Sequence, residues 1–346
     1  MLEWLDEEPE NSMQTAHFVT PTDDGRVRCE ACLWRCELHP EQTGRCHMRV
    51  ARNGTLELLN YGLISGANVG SIEEHRLWHF FPDTLVLGIG SWGYAFPADQ
   101  ERGPYTALPA DPTKHRSLPA EKAAAFALKQ LCRGVVWAYG DPAVSAEYTL
   151  EILRASRAAS RYTALVTTGY MTSETLEQFG PYLDGLALDM RGFGDSAYQR
   201  LAGAPHWDVI LESVARLKHR WQVHIEVTTR MHHGVNDDPQ ELRALTAWIR
   251  RALGEQTPWH ILPGDAGVET AAAVFRARRI GLDAGLHYIY GIEPEQHTHC
   301  PRCSNTLITR SKGVSRVVGI SDGQCNRCGF QPYLRTSIFK PRRPQE

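Results

Sequence analysis

The chain has 346 residues, of which 42% are hydrophobic and 22% are charged, and its formal net charge is -3. This length and composition are typical of a globular protein with one barrel-sized domain and small appendages. The small net charge argues against a general nucleic-acid or membrane-surface binder.

The N-terminal segment gives no sign of export. Residues 1–13 are acidic and lack the basic and apolar regions of a secretory signal, and no later run approaches the roughly 18 apolar residues of a membrane span. We therefore predict a cytoplasmic protein that does not associate with a membrane. In a reducing compartment, paired cysteines indicate metal thiolates rather than disulfides.

Four of the nine cysteines lie near the N-terminus, in a metal-binding region that we place at residues 1–83. They are spaced C-x2-C-x3-C-x9-C and are Cys29, Cys32, Cys36 and Cys46. Four thiolates suit a structural zinc ion, and Gly44 supplies a tight turn beside the last cysteine. An iron-sulfur cluster is the alternative, because three closely spaced cysteines and a fourth also suit that chemistry.

Residues 84–292 show the alternation of an α/β domain. Seven apolar, β-rich runs begin at Thr84, Gly134, Tyr162, Gly185, Gln222, Pro258 and Leu286. Amphipathic helical patterns separate them. Six strand-helix units and a final strand are too few for a closed eight-fold barrel, so we predict a partial (βα)6 TIM-like barrel. Functional residues are expected at the C-terminal ends of its strands, where the loops converge on the barrel mouth.

The C-terminal region, residues 293–346, carries a second cysteine set spaced C-x2-C-x21-C-x2-C. Its members are Cys300, Cys303, Cys325 and Cys328. Two knuckles with two thiolates each, separated by a length that suits a β-hairpin, predict a zinc ribbon in preference to an iron-sulfur site. The ninth cysteine, Cys132, ends a predicted helix and is expected to be a small buried apolar residue.

Several short motifs follow one another over nearly the whole chain. They are CHMRV at Cys46, LWHFFPDTLVLGIG at Leu77, AYGDP at Ala138, TTGY at Thr167, LDMRGF at Leu188, HIEVTT at His224, GVNDD at Gly234 and PWH at Pro258. In this order they resemble the radical S-adenosylmethionine (SAM) enzymes, specifically the AmmeMemoRadiSam-system member, which is similar to pyruvate formate-lyase activating enzymes. The resemblance implies a radical SAM type of barrel.

The resemblance also implies a cluster loop, which this sequence does not complete. In that family the loop after the first strand carries C-x3-C-x2-C, three thiolates for a [4Fe-4S] cluster whose open iron chelates SAM. The corresponding residues here are Tyr94, Ala98 and Glu101, and no cysteine lies between Cys46 and Cys132. Oxygen ligands are poor substitutes for thiolates on such a cluster. We therefore expect no [4Fe-4S] cluster at this position and no reductive cleavage of SAM.

Other departures from the family retain a polar pocket. The family's Asn-Glu-Pro ends in Asp141-Pro142 here, and its Asp-x-Lys is replaced by Asp189 and Arg191. SAM binding is thus an expectation carried by the resemblance. The residues expected to contact SAM are Tyr94, Asp141, Thr168, Asp189 and Arg191.

Acid-base candidates lie in the same region. His224 and Glu226 are two residues apart on a predicted strand and should face the barrel interior, either as an acid-base pair or as an internal hydrogen-bonded pair. His260 ends a strand where the family also has His, which implies a substrate or cofactor role. Glu101 is a candidate to balance the positive sulfonium. We predict catalytic residues among these four.

Three functions remain open from the sequence. The first is a transferase or lyase that binds SAM and uses it as a polar electrophile toward a small-molecule substrate. The second is a catalytically silent relative that acts as a binding or assembly module, with a protein partner, through its two metal domains. The third is redox chemistry at iron held by the N-terminal cysteines, which would then have to lie against the barrel mouth. Zinc at both cysteine sets and SAM are the expected cofactors.

Overall fold

The N-terminal region folds as two small antiparallel sheets. The computed structural model describes residues 14–293, 295–311 and 313–337, so the acidic N-terminus lies outside the described residues. The strands are β1 (Gln14–Thr15), β2 (Val19–Pro21), β3 (Val27–Cys29), β4 (Glu37–Leu38), β5 (Arg49–Arg52) and β6 (Thr55–Leu58). One sheet has the order β1-β6-β5 and the other β2-β3-β4. The first cysteine of the N-terminal set thus ends a strand of the second sheet.

The central sheet is an open, mostly parallel barrel of eight strands. These are β7 (Gly66–Ser71), β8 (Leu85–Gly90), β9 (Gly134–Tyr139), β10 (Tyr162–Thr167), β11 (Gly185–Asp189), β12 (His224–Met231), β13 (Trp259–Pro263) and β14 (Ile289–Tyr290). They neighbour one another in chain order, and all pairs are parallel except β7 with β8. The predicted partial barrel is confirmed. The boundary expected at residue 83 leaves out β7, which pairs with the barrel.

In the described part of the chain, eight α-helices connect and cover the strands. They are α1 (Pro97–Arg102), α2 (Ala120–Lys129), α3 (Ala146–Ala158), α4 (Ser173–Phe179), α5 (Asp195–Leu201), α6 (Asp208–Trp221), α7 (Pro239–Trp248) and α8 (Val268–Asp283). The short helices α1 and α5 were not predicted. Pro97 begins α1, where a fixed φ and a missing N–H favour a helix start, and this helix occupies the loop after β8.

An aromatic plug fills the N-terminal end of the barrel interior. Phe80 precedes β8, and its ring centroid lies 5.1 Å from that of Tyr162 and 5.4 Å from that of His224. A Cβ atom added at Gly185 would lie 2.9 Å from the Phe80 ring, so this glycine makes room for the plug. Polar side chains of the interior therefore lie between this plug and the barrel mouth.

The C-terminal region forms small antiparallel sheets, and the segment after them packs against the N-terminal end of the barrel. Its strands are β15 (Thr298–His299), β16 (Thr306–Ser311), β17 (Val314–Val317), β18 (Ile320–Ser321) and β19 (Gln324–Cys325). After them, Arg335 donates to the carboxylate of Asp184, at 3.1 Å, and pairs with Phe80 through a backbone bridge. Among the described residues, no helix combines the length and the apolar character needed to cross a membrane.

Candidate functional site

One layer of side chains crosses four neighbouring strands at the barrel mouth. Asp189 of β11 is in register with Thr228 of β12, which is in register with His260 of β13. Thr168 directly follows β10, whose parallel pairing with β11 puts it in line with Asp189. Each of the four residues has a buried polar atom without a hydrogen-bond partner among the described residues: Thr168 Oγ1, Asp189 Oδ1, Thr228 Oγ1 and His260 Nδ1.

Such a layer is unusual because buried polar atoms in folded proteins nearly always have partners. Each unsatisfied atom costs about 1–3 kcal/mol. Four of them on adjacent strands, facing one interior, are the arrangement expected of a site that a polar ligand completes. Thr168 and Asp189 were predicted as ligand contacts and His260 as catalytic, and the fold brings all three together.

Arg191 connects this layer to α1. Its Nη2 atom lies 2.8 Å from Asp99 Oδ2 and 3.4 Å from Asp189 Oδ2, while its Nε atom is buried without a partner in the described part of the chain. Burial opposes the charge on the guanidinium, but the carboxylates of Asp189 and Asp99 outweigh it and raise the pKa of Arg191. The group is a fixed cation with one unused donor.

Asp141 lies in the loop after β9 and is buried, with 7% of its surface exposed. Its Oδ1 atom accepts a hydrogen bond of 2.9 Å from the backbone N–H of Ala143. Burial, reinforced by the negative charge of Asp99, raises the pKa of Asp141 to about 6. Tyr94 is half-buried near both acids, whose charges contribute, after burial, to raising its pKa.

A buried histidine-glutamate network lies deeper in the barrel. Glu226 accepts hydrogen bonds from the backbone N–H of His79 at 2.7 Å and from His224 Nε2 at 3.1 Å on one oxygen. Its other oxygen accepts from His260 Nε2 at 2.9 Å. Burial favours protonation of Glu226, but these donors outweigh it and hold its pKa well below the usual range.

Of the histidines bonded to Glu226, only His260 also belongs to the layer at the barrel mouth. The ring of His224 stacks on that of Tyr333 at a centroid distance of 4.4 Å, which encloses it at the N-terminal end. The internal hydrogen-bonded arrangement foreseen for His224 and Glu226 therefore describes their contacts. His260 belongs to both the network and the layer. Glu101 is exposed on α1, apart from the network.

The sequence reasoning assigned no binding or catalytic role to three arginines of this region, Arg76, Arg102 and Arg230. Arg76 is half-buried, and burial together with the positive charge of Arg230 lowers its pKa. Arg102, Arg191 and Arg230 all contribute to lowering the pKa of His232, after its burial. Arg230 continues the two-residue alternation of β12, which was the available signal, as it was for Thr228. The mouth therefore combines acidic and basic groups.

The residues at the family's three cluster positions do not fit a [4Fe-4S] cluster. Tyr94 is half-buried, Ala98 is buried on α1, and Glu101 is exposed. None carries a sulfur atom, and a low-potential cluster of this type is held by thiolates.

The two cysteine sets differ in geometry. In the C-terminal set the four Sγ atoms lie within 4.8 Å of one another, with Cys300–Cys328 at 3.5 Å and Cys303–Cys325 at 3.7 Å. This set can hold a metal ion. It is the one group of three or more potential metal ligands this close together in the described ranges. The N-terminal cysteines are farther apart and line one cavity beside the loop after β9.

The chain is similar in sequence to a known family and to individual proteins. Residues 102–246 match the family model of the radical SAM superfamily. An uncharacterised protein of Methanocaldococcus jannaschii is 26% identical over 332 residues, covering 92% of this chain and 98% of that protein. The isethionate sulfite-lyase activating enzyme of Nitratidesulfovibrio vulgaris is 25% identical over 133 residues, 37% of this chain and 43% of that enzyme.

Solved structures to which the chain is similar include a radical SAM methyltransferase from Sphaerobacter thermophilus. It has a TM-score of 0.46 and 16% identity, covering 61% of this chain and 67% of that chain. A domain of a pyruvate-formate lyase-activating enzyme from Bacteroides vulgatus has a TM-score of 0.39 and 20% identity, covering 46% of this chain and 99% of that domain. The match to the family model shows a radical SAM domain at residues 102–246 of the chain.

Proposed function

We propose that the barrel mouth binds SAM and that the chain uses it in a polar transfer or lyase reaction with a small-molecule nucleophile. The observation that carries the proposal is the layer of unpartnered buried polar atoms at Thr168, Asp189, Thr228 and His260. These groups supply both donors and acceptors, as the hydroxyl, ammonium and carboxylate groups of SAM require. When bound, SAM supplies a sulfonium group that is already activated for transfer of a methyl or aminocarboxypropyl group.

In this proposal each charged residue binds a different group of SAM. Asp189 Oδ1 accepts from a ligand hydroxyl or ammonium group, and Arg191 Nε donates to a carboxylate. Asp141 adds a second carboxylate near Arg191 and Asp99. This assignment keeps the SAM contacts expected from the sequence and adds Thr228 to them.

His260 is the residue we assign as general base. Its Nε2–H donates to Glu226, which leaves Nδ1 as the unprotonated nitrogen. Burial is the main cause that lowers the pKa of His260, so the ring is neutral near pH 7 and able to accept a proton. Glu226 is then a positioning residue that selects this tautomer.

The test is a SAM titration by calorimetry with anaerobically purified protein. Asp189→Asn removes a charged acceptor, and we expect about 10- to 100-fold weaker binding. Glu121→Gln, at an exposed position of α2 with no assigned role, is the matched control and should bind as the unaltered protein does. Failure of the unaltered protein to bind SAM would contradict the proposal and favour the alternative, a catalytically silent binding or assembly module.

For the C-terminal set we propose a structural zinc ion. Tetrahedral Zn–S bonds of about 2.3 Å place thiolate sulfurs about 3.8 Å apart. The observed separations of 3.5 and 3.7 Å are close to that spacing. Metal analysis of the protein should find one zinc ion that is lost in the double variant Cys300→Ser, Cys303→Ser.

A further inference from the structure

The N-terminal cysteines surround a hollow. Cys29, Cys32, Cys36 and Cys46 all line one cavity, which is large enough to admit a water-sized sphere. The six pairs among the four thiols are all close enough to interact electrostatically. No three of the four sulfurs, however, lie within 4.8 Å of one another, although all four residues are described. The four cysteines therefore surround one cavity, but their sulfur atoms are too far apart to contact a single metal ion together.

This spacing discriminates between metal centres. A zinc ion draws four sulfurs to about 3.8 Å from one another. A two-iron cluster with four cysteines also puts two sulfurs on each iron and so brings them together in pairs. The C-terminal set has sulfur-sulfur contacts of 3.5 and 3.7 Å, whereas no three of the N-terminal sulfurs, all of them in described residues, lie within 4.8 Å of one another. A four-iron cubane gives each thiolate its own iron and keeps all four sulfurs apart.

The surroundings of the hollow suit a cluster with net negative charge. Ala31, Leu38, Ala143 and Val144 provide apolar walls, and the buried cation Arg49 is also part of the lining. Arg49 is held by two hydrogen bonds to Glu147, at 3.1 and 2.5 Å. Apolar enclosure excludes solvent from the sulfurs, which protects a cluster from loss and hydrolysis.

The hollow also lies against the barrel mouth. Trp34 Nε1 donates to the carbonyl of Ala95 at 2.7 Å, in the loop after β8. Gln100 of α1 donates to the carbonyl of Arg45 at 2.9 Å. Cys32 forms a backbone bridge with Met171, just beyond β10. Two loops that border the candidate ligand site, those after β8 and β10, are thus connected to the peptide that carries the cysteines.

We propose that Cys29, Cys32, Cys36 and Cys46 hold a [4Fe-4S] cluster beside the barrel mouth, in place of the zinc ion expected from the sequence. With four thiolates, every iron is fully ligated and none is open to SAM. The cluster therefore does not restore the chemistry missing at Tyr94, Ala98 and Glu101. It fixes the loops after β8, β9 and β10, and the inference is independent of whether SAM is the ligand.

The test is chemical analysis of the full chain purified and reconstituted without oxygen. We expect about four iron and four sulfide per chain, together with a single zinc ion, and a broad visible absorption that bleaches on reduction. The double variant Cys29→Ser, Cys46→Ser should lose the iron and keep the zinc. The matched control Cys300→Ser, Cys303→Ser should lose the zinc and keep the iron.

A second variant, Cys36→Ser, keeps the test valid if the double variant fails to fold. Cys36 is only half-buried, so Cys36→Ser removes one thiolate with less disturbance of the core and should lower the iron content at least twofold. Cys132→Ser, outside both sets, should leave the iron unchanged. Two zinc ions with no iron, or two irons per chain with pairwise ligation in X-ray absorption spectra, would each overturn the proposal.

Discussion

Replacement of Asp141 by Asn tests whether burial in the loop after β9 raises the pKa of this carboxyl. Burial raises the pKa of Asp141 from its ordinary value of 3.8 to about 6. Between these two values the unfolded chain releases the proton before the folded protein does. Folding stability therefore falls as the pH rises through this window and levels off above the folded pKa. The asparagine variant has no proton to release at this position.

The size of the effect follows from the two pKa values. Linkage between 3.8 and about 6 gives a loss of about 1.3 kcal/mol of unfolding free energy from pH 5 to pH 7, or about a tenfold change in the unfolding equilibrium. All other titrating groups are shared with the variant. The difference between the two proteins consequently isolates Asp141, whatever constant cost the loss of one backbone acceptor adds.

Urea unfolding at pH 5, 6 and 7 measures this difference. We expect the stability of Asp141→Asn relative to the unaltered protein to rise by about 1.3 kcal/mol over this range. A difference that does not vary with pH would refute the reasoning, because it would mean that the carboxyl has an ordinary pKa. A difference of opposite sign would show that the charged form is stabilised by a partner.

Three further substitutions test the packing around the site. Glu147→Gln leaves a buried arginine without its anion and should cost about 3–5 kcal/mol in urea unfolding, whereas Asp283→Asn, in an exposed pair, should cost less than about 0.5 kcal/mol. Glu226→Gln should cost about 2–4 kcal/mol, because an amide N–H2 cannot accept the three donors that now meet the carboxylate. Gly140→Ala places a Cβ 2.1 Å from a carbonyl oxygen and should lower the melting temperature far more than Gly234→Ala, where positive φ is the only obstacle.

Much of the barrel was predictable because its strands are continuous apolar runs. β9, β10 and β11 lie within the predicted runs, and β12 begins at His224, two residues after the start of the run predicted from Gln222. The helix α1 was missed because it has only six residues, too few for an amphipathic period to be recognised. β7 was missed because GANVGS lacks the bulky residues that mark a strand.

The site was less predictable because its layer depends on register between strands. Asp189, Thr228 and His260 are distant in sequence, and only the parallel pairing of β11, β12 and β13 aligns them. The position of the N-terminal cysteines shows the same limit. Their spacing predicted a metal site, but the contact of Trp34 with Ala95 spans 61 residues and has no local signal.

Product analysis after exposure to SAM and a strong reductant tests the central claim most directly. The claim is that the barrel mouth, with Tyr94, Ala98 and Glu101 at the cluster positions, uses the sulfonium without reductive cleavage. Anaerobic, reconstituted protein incubated with SAM and dithionite should then release no 5'-deoxyadenosine above the level of the protein-free control. Release of this nucleoside in proportion to enzyme would contradict the account.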